Sequence, residues 1–216
     1  MYGELSGYIE KKYPGIKLFH VGQMEPRQLH TRNKLNSLSE LKGLKIRSAG
    51  AIENKVYSKL GAVPTFLSYE EMYTGFEQGV VHAGSNSIAG MLVLKLYEVA
   101  PYLYDQIWYG GGLHLGIISK KSFDSLPPDI QNIVWQIASK EFPQWWNNEL
   151  LKSLQSTRGE LVKRGMKVVK WSEADLKHFA AAVEEIMKDE WLPSLNPEQK
   201  NHYERVLKSI KSYKGK

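Results

Sequence analysis

The sequence contains no cysteine. This absence excludes disulfide bonds, thiolate catalysis and zinc sites built on cysteine ligands. Long apolar runs are also missing, so no segment has the length and hydropathy of a membrane-spanning helix. The opening residues MYGELSGYIEKKYPG have the pattern of an amphipathic helix rather than that of a signal peptide. We therefore expect either a mature chain without its leader or a chain that starts within a larger domain.

No catalytic or metal-binding motif emerges either. The six histidines show neither an i, i+4 pair nor the HExxH spacing of zinc proteases. Ser85 lies in no GxSxG motif, which argues against a serine hydrolase. The triple glycine at 110–112 lacks the Lys and the Ser or Thr of a phosphate-binding P-loop, and the lysines are too scattered to favour nucleic-acid binding. We expect no catalytic residue, no metal and no cofactor.

What is present is the composition of an ordinary globular protein. Hydrophobic residues make up 42% and charged residues 24% of the 216 residues, which is enough for a sizeable core. This length fits one large domain or two small lobes. The formal net charge of +6 and the pI of about 9.2 favour anionic partners in general.

Predicted strands and helices alternate at short spacing, which indicates α/β layers rather than a helix bundle. Hydrophobic periodicity and turn residues predict strands at 17–21, 44–47, 65–67, 80–83, 102–109, 113–119 and 166–170, and helices at 3–12, 51–60, 68–79, 88–99, 173–189 and from 197 onward. The stretch 23–36 is polar and we expect it to be irregular. The helical pattern over 127–165 should be kinked or divided at Pro143. If continuous it spans about 57 Å, so we expect it to link two lobes.

The strongest candidates for ligand binding are Arg27, Arg47 and Asn86. Arg47 and Asn86 each follow a predicted strand, and open α/β sheets bind their ligands at the carboxyl ends of strands. A guanidinium pairs with a carboxylate through two parallel hydrogen bonds, so the arginines indicate an organic acid. Taken alone, each arginine is more often a surface ion-pair residue, and that interpretation stays open here.

Three further residues complete the candidate set. Ser85 lies beside Asn86 in a predicted loop over 84–87. Trp108 and Tyr109 come just before the triple glycine, at a predicted strand end. Aromatic rings in that position line a ligand pocket or pack structurally between layers, and the sequence leaves both roles open.

Several stretches in order resemble the solute-binding proteins of tripartite ATP-independent periplasmic (TRAP) transporters, the DctP-like family. They are LKGLKIRSAG, LGAVPTFLSYEEMYTGFEQGVV, the Asn86 loop, KLYEVAPYL, SFDSLPPDIQNIV and KRGMKVVKWSEADL. The first five cover most of residues 27–135. The resemblance implies a non-enzymatic, periplasmic protein that binds an organic-acid anion between two α/β lobes. It also implies delivery of that anion to the membrane subunits of a TRAP permease.

In such proteins the arginine of the K-I-R strand forms a bidentate salt bridge with the substrate carboxylate, a role that falls to Arg47. An arginine about twenty residues upstream, here Arg27, assists, and the residue at Asn86 contacts the ligand. The sequence departs from the family pattern at His82-Ala83, where Asp-Gly is usual, at Ser85, where an acidic residue is usual, and at Trp108, where a His is common. The resemblance therefore does not carry a substrate identity.

The resemblance also predicts how the chain divides. Residues 1–26 and 113–152 correspond to a remnant of the first lobe with part of the crossing helix, and residues 27–112 and 153–216 to the second lobe. The family's opening strands and helices have no match here, so we expect an incomplete first lobe with exposed apolar surface. Two other functions stay open: an α/β enzyme acting on a small carboxylic acid, and a ligand-sensing module of a regulator.

Overall fold

A computed structural model describes residues 2–109 and 112–212. Within these ranges, the side chains of residues 2–5, 107–109, 151 and 209–212 are outside the description. Two residues of the triple glycine, where the sequence predicts a strand break, also lie outside the described residues. In the described part of the chain, no helix is both long and apolar enough to cross a membrane.

Strands and helices alternate through the first half of the described chain, and helices dominate the second half. The strands are β1 (Ile16–Gln23), β2 (Arg27–Thr31), β3 (Lys45–Ser48), β4 (Val63–Phe66), β5 (Ala83–Asn86), β6 (Tyr102–Tyr109), β7 (Leu113–Ser119) and β8 (Lys167–Val169). The helices are α1 (Tyr2–Lys12), α2 (Ala51–Lys59), α3 (Met72–Glu77), α4 (Ile88–Val93), α5 (Leu96–Val99), α6 (Lys120–Asp124), α7 (Pro128–Gln136), α8 (Phe142–Lys163), α9 (Glu173–Ile186), α10 (Leu192–Ser194) and α11 (Pro197–Ser212). A 3₁₀ turn spans Leu38–Leu41, and π-helical turns span Ile137–Glu141 and Met187–Trp191.

These elements form two compact units, each made of two chain segments. The first unit contains Met1–Asn33 and Gly84–Val169, and the second contains Lys34–Ala83 and Lys170–Lys216. The segment bounds differ from those of the lobes that the resemblance predicts. The units are defined by contacts within this chain, whereas the predicted lobes refer to the complete family fold, so the lobe bounds stay a prediction.

The first unit holds two sets of strands. β1 and β7 form a two-stranded antiparallel sheet. In the other set the neighbours run in the order β5, β2, β6 and β8, with β2 antiparallel to β6 and β6 parallel to β8. The interior of the unit is apolar because the inward positions of these strands carry large side chains. Among those that are fully buried are Leu18, Leu29, Leu103 and Tyr104.

The second unit is built on the parallel pair β3 and β4, joined by α2. Helix α2 ends where Gly61 takes a φ of 79°, a left-handed conformation that glycine adopts without steric cost. Helix α9 begins at a cap formed by Ser172, whose Oγ accepts a hydrogen bond from the backbone N–H of Asp175 at 3.1 Å. Because α2 and α9 pack together, the two chain segments share one apolar interior. Its buried side chains include Ile46, Val56, Tyr57, Phe76, Phe179 and Ile186.

Most predicted elements are confirmed, and so is the α/β class. Both β6 and β7 have the predicted bounds, and the cap at Ser172 was predicted as well. The stretch 23–36, which we expected to be irregular, contains the strand β2. The first three residues of β2 are Arg, Gln and Leu, and its polar members Gln28, His30 and Thr31 are buried. The strand β2 therefore has a polar sequence although it has a neighbouring strand on each side.

Two predicted helices are also corrected. The helix expected from Ser68 begins at Met72, and the residues between them form a turn in which the side chain of Glu71 accepts a hydrogen bond from the backbone N–H of Ser68. The single helix expected over 88–99 is divided into α4 and α5 at Lys95, which has a φ of 53°. A non-glycine residue in this left-handed region ends a helix.

The long helical segment is continuous from Pro128 to Lys163 and belongs entirely to the first unit. At the position where the sequence predicts a kink or division, a π-helical turn over Ile137–Glu141 precedes Pro143. Proline lacks an N–H and its ring crowds the carbonyl four residues earlier. The wider π turn lies where that carbonyl would be crowded, so the helix continues past the proline.

Candidate functional site

Arg47 is buried in the second unit, with only 4% of its surface exposed. It lies in β3, where Ile46 and Ser48 are buried as well, and its register partner on β4 is Thr65. The Nε–H donates to the backbone carbonyl of Leu67 at 3.0 Å. Because the guanidinium is planar and rigid, this bond fixes the plane in which its other donors lie. The result is a permanent positive charge held in one orientation in a desolvated position, which is suited to binding an anion.

The turn that follows Arg47 is held by its own side chains. Glu53, in the first turn of α2, accepts a hydrogen bond from the backbone N–H of Ala49 at 2.6 Å. Ser48 Oγ donates to the carbonyl of Gly50 at 3.1 Å and accepts from its N–H at 3.2 Å. A carboxylate near a helix N-terminus is favoured by the helix dipole. Ser48 and Glu53 therefore position the strand end that carries Arg47, and our sequence analysis did not single them out.

Asn86 is buried as the last residue of β5, with 5% of its surface exposed, rather than lying in a loop. Its Oδ1 accepts a hydrogen bond from the backbone N–H of Ser87 at 2.8 Å. Ser87 in turn caps α4, because its Oγ accepts from the N–H of Gly90 at 3.0 Å. A Cβ at Gly90 would lie 2.6 Å from Asn86 Oδ1. Only glycine therefore lets the asparagine side chain occupy its position.

Ser85 precedes Asn86 on β5 and is fully buried. The predicted loop over 84–87 is thus corrected: its first three residues belong to the strand. Successive side chains of a strand point to opposite faces of the sheet, so Ser85 and Asn86 face in opposite directions. Of the two, Asn86 is the one that packs against α4, through Gly90.

Arg27 begins β2 and is half-buried. Its backbone pairs with Tyr109 at the end of β6, so these two predicted residues lie at the same end of neighbouring strands. Two residues earlier, the carboxylate of Glu25 accepts a hydrogen bond from the backbone N–H of Ala89 at 3.2 Å. This bond joins the start of β2 to the start of α4, three residues after Asn86. The first unit therefore gathers the chain segments of Arg27, Asn86 and Tyr109 at one end of its sheet.

Trp108 and Tyr109 belong to β6, as predicted, but their side chains lie outside the described residues. Their predicted pocket-lining role is therefore untested. Arg47 belongs to the second unit, whereas the other five candidates belong to the first. That all six contribute to one ligand site stays a prediction.

A histidine pair, with His20 buried and His114 half-buried, is the polar cluster that sequence reasoning missed. His20 of β1 and His114 of β7 are 94 residues apart in sequence, yet their Nε2 atoms lie 2.8 Å apart. His20 is 96% buried, because its exposed fraction is 4%, and its Nδ1 has no hydrogen-bond partner among the described residues. An unpaired lone pair is less costly than an unpaired N–H, so neutral His20 donates from Nε2 and His114 accepts. No local spacing could have indicated this pair.

Aromatic side chains surround the pair. Phe142 packs edge-on against His20, and Trp146 packs edge-on against His114. Burial, and secondarily the neighbouring His114, lowers the pKa of His20 below its usual range. A Cβ at Gly22 would overlap both imidazole rings, so glycine is required beside them. Within the described ranges, no group of three or more His, Asp or Glu side chains is placed to hold a metal ion.

A buried arginine near the end of a parallel strand, in a fold of two α/β units, is an arrangement suited to binding an anion at the edge of a sheet. The profile of the DctP family, described as bacterial extracellular solute-binding protein, family 7, matches residues 3–192. The chain belongs to this family.

Two curated relatives agree with this assignment. A solute-binding protein of Sulfitobacter sp. strain NAS-14.1 is 34% identical over 109 residues, which are 50% of this chain and 33% of the relative. A solute-binding protein of Roseobacter denitrificans is 30% identical over 161 residues, which are 74% of this chain and 48% of the relative. The chain thus spans between a third and a half of the length of these relatives.

Two solved structures share the fold. A TRAP periplasmic solute-binding protein from Desulfovibrio salexigens with bound orotic acid superposes with a TM-score of 0.81 at 18% identity, over 96% of this chain and 66% of the other. A TRAP periplasmic solute-binding protein from Xanthobacter autotrophicus with bound β-D-galacturonate gives a TM-score of 0.80 at 23% identity, over 95% and 66%. The predicted fold class and family resemblance are confirmed, and about a third of each neighbour's length has no counterpart in this chain.

Proposed function

We propose that this protein is an extracytoplasmic solute-binding protein that binds an organic-acid anion through its carboxylate. In this proposal Arg47 makes the bidentate contact, with Arg27 and Asn86 as further ligand contacts. The protein acts in the periplasm and delivers the anion to the membrane subunits of a TRAP permease. It transforms nothing, in keeping with a family of solute-binding receptors.

The observation that carries the proposal is the buried, oriented guanidinium of Arg47. Arg47 has 4% of its surface exposed, and hydrogen bonds between a charged guanidinium and a carboxylate are among the strongest in proteins. Its Nε is fixed by the Leu67 carbonyl, so the charge is positioned before a ligand arrives. Two family members of the same fold bind carboxylic acids, orotic acid and galacturonate. The net charge of +6 attracts anions at longer range.

Titration calorimetry with orotate, galacturonate and other small carboxylates tests the proposal. We expect at least one acid to bind and the Arg47→Ala variant to bind it with about 30- to 4,000-fold lower affinity, because a buried charged contact contributes about 2–5 kcal/mol. Arg47→Lys should also bind weakly, because an ammonium cannot make the bidentate contact.

The matched control is Arg205→Ala, which removes the same charge from an exposed position on α11 of the same unit. It should bind like the unaltered protein. Equal affinity of Arg47→Ala and the unaltered protein would contradict the role of Arg47. Turnover of any of the acids by the purified protein would contradict the proposed function itself.

A further inference from the structure

The first unit contains a cavity of about 380 Å³ between its two-stranded sheet and the long helical segment. The sheet contributes Phe19 and His20 of β1 and His114 of β7 to the lining, and the helical segment contributes Ile137 and Phe142. Pockets that hold small molecules in proteins have volumes from about 300 Å³ upward. The cavity is therefore large enough for a small organic molecule.

Small residues on both walls leave room for this cavity. Gly116 lines it from β7, and a Cβ at that position would lie 3.1 Å from the Cβ of His20. Ala138 lines it from the π-helical turn of the helical segment. A larger side chain at either position would push against His20 or fill the cavity, so the space depends on these two small residues.

The walls of the cavity are apolar except for the histidine pair. Among the described residues that line it, His20 and His114 are the ones with polar side chains. Their Nε2 atoms share one hydrogen bond, while the buried Nδ1 of His20 has no partner among the described residues. With the tautomer assigned above, this Nδ1 carries a lone pair and is an acceptor. A ligand with a hydrogen-bond donor would satisfy it.

The cavity is poorly suited to the organic-acid anion of the proposed function. Its described lining contains no lysine and no arginine. Burial lowers the pKa of His20, which disfavours a positively charged imidazole. A carboxylate placed there would lose its hydration without gaining a cationic partner. The ligand that fits these walls is therefore uncharged.

We propose that this cavity is a second ligand site, for an uncharged molecule with an apolar, ring-sized body and one hydrogen-bond donor, of which a phenol is the simplest kind. The hydroxyl group donates to Nδ1 of His20, and the ring packs against Phe19, Ile137 and Phe142. The site is separate from the proposed anion site, because Arg47 belongs to the second unit.

Calorimetry with p-cresol and toluene on the 216-residue chain tests the proposal. The two probes share the ring and the methyl group, and only p-cresol has a hydrogen-bond donor. We expect p-cresol to bind one-to-one and toluene to bind about tenfold more weakly, as expected for the loss of one neutral hydrogen bond. The nitrogen NMR resonance of His20 Nδ1, assigned by its absence in His20→Phe, should shift with p-cresol and stay in place with toluene.

Ala138→Leu should weaken p-cresol binding at least about tenfold, because the larger side chain occupies the cavity. Ala180→Leu is the matched control, since it makes the same substitution at an exposed position of α9 in the second unit. It should bind p-cresol like the unaltered chain, and circular dichroism should show both leucine variants folded. Arg47→Ala should also bind p-cresol normally, because it alters the anion site alone.

Several results would overturn the proposal. Absence of p-cresol binding does so, and so does equal affinity of the unaltered chain for p-cresol and toluene, since no donor is then recognised. Normal p-cresol binding by Ala138→Leu would place the probe outside the cavity. Loss of p-cresol binding in Arg47→Ala would place it at the anion site instead.

Discussion

At the scale of single residues, the structure corrects where some of the candidate residues lie and what they contact. Sequence reasoning placed Asn86 in a loop, whereas it ends a buried strand and packs against Gly90. The signal for Gly90 was weak, since a glycine within a helix pattern has many causes. Ser48 and Glu53 were missed because their importance lies in the turn that they hold after Arg47.

Gly90→Ala should lower both stability and carboxylate affinity. The new methyl group would crowd Asn86 Oδ1, so either the asparagine or the start of α4 must move. We expect a loss of about 1–3 kcal/mol in the free energy of unfolding, as is usual for overpacking. Denaturant unfolding and calorimetry with the bound acid measure the two effects.

Gly159→Ala is the corresponding control, since no atom lies within 4 Å of a Cβ built at this exposed position of α8. Alanine there should raise stability by up to about 1 kcal/mol through helix propensity. Unchanged affinity in Gly90→Ala would mean that Asn86 does not contact the ligand.

At the scale of elements, the errors have definite physical causes. The strand β2 was missed because its polar residues Gln28, His30 and Thr31 are buried between neighbouring strands, so its sequence shows no hydrophobic pattern. The π turn before Pro143 was not predicted, because sequence periodicity cannot distinguish a kink from an inserted residue. The cap of α9 was predicted because it depends on residues three apart.

Ser172→Ala should destabilise α9 by about 1 kcal/mol, because the N–H of Asp175 loses its acceptor. The hydrogen bond from the Ser172 hydroxyl is also the main cause that lowers the pKa of Asp175. That pKa should therefore rise toward its usual range in the variant, which NMR titration of the carboxyl carbon can measure.

A carboxyl group whose pKa is lowered in the folded state stabilises the protein at pH values above its usual pKa. This stabilisation is lost as the pH falls through the folded-state pKa. The variant should consequently lose less stability than the unaltered protein on acidification. Ser156→Ala, which removes a hydroxyl that donates only to carbonyls of its own helix, is the control. A pKa of Asp175 that stays low in Ser172→Ala would contradict this account.

At the scale of the whole molecule, each unit draws on two distant chain segments. The pairing of His20 with His114 belongs to this scale, since it joins the neighbouring strands β1 and β7, whose paired histidines are 94 residues apart in sequence. Because the pKa of His20 is lowered in the folded state, the unfolded chain binds more protons below about pH 6.5. The stability that neutral His20 contributes is complete above that pH and is lost as the pH falls.

Acidification from pH 7.5 to 5.5 should therefore speed amide exchange in β1 and β7 more than in the second unit. Protonation of His20 would place a positive charge at a buried position beside apolar side chains, which is the physical reason for the expected loss of stability. His20→Phe should flatten the pH dependence, and His202→Phe, at a half-buried position in α11, should not. The same pH response in the unaltered protein and in His20→Phe would contradict the assignment.

The sequence by itself determined the α/β class, most helix and strand positions, the family and the candidate residues, because periodicity, caps and motif order are local properties of a chain. The tertiary structure alone decided which of these residues are buried and what holds them. The burial of Arg47 and the His20–His114 pair depend on atoms far apart in sequence. No local pattern records such contacts, since they arise only when distant segments pack together.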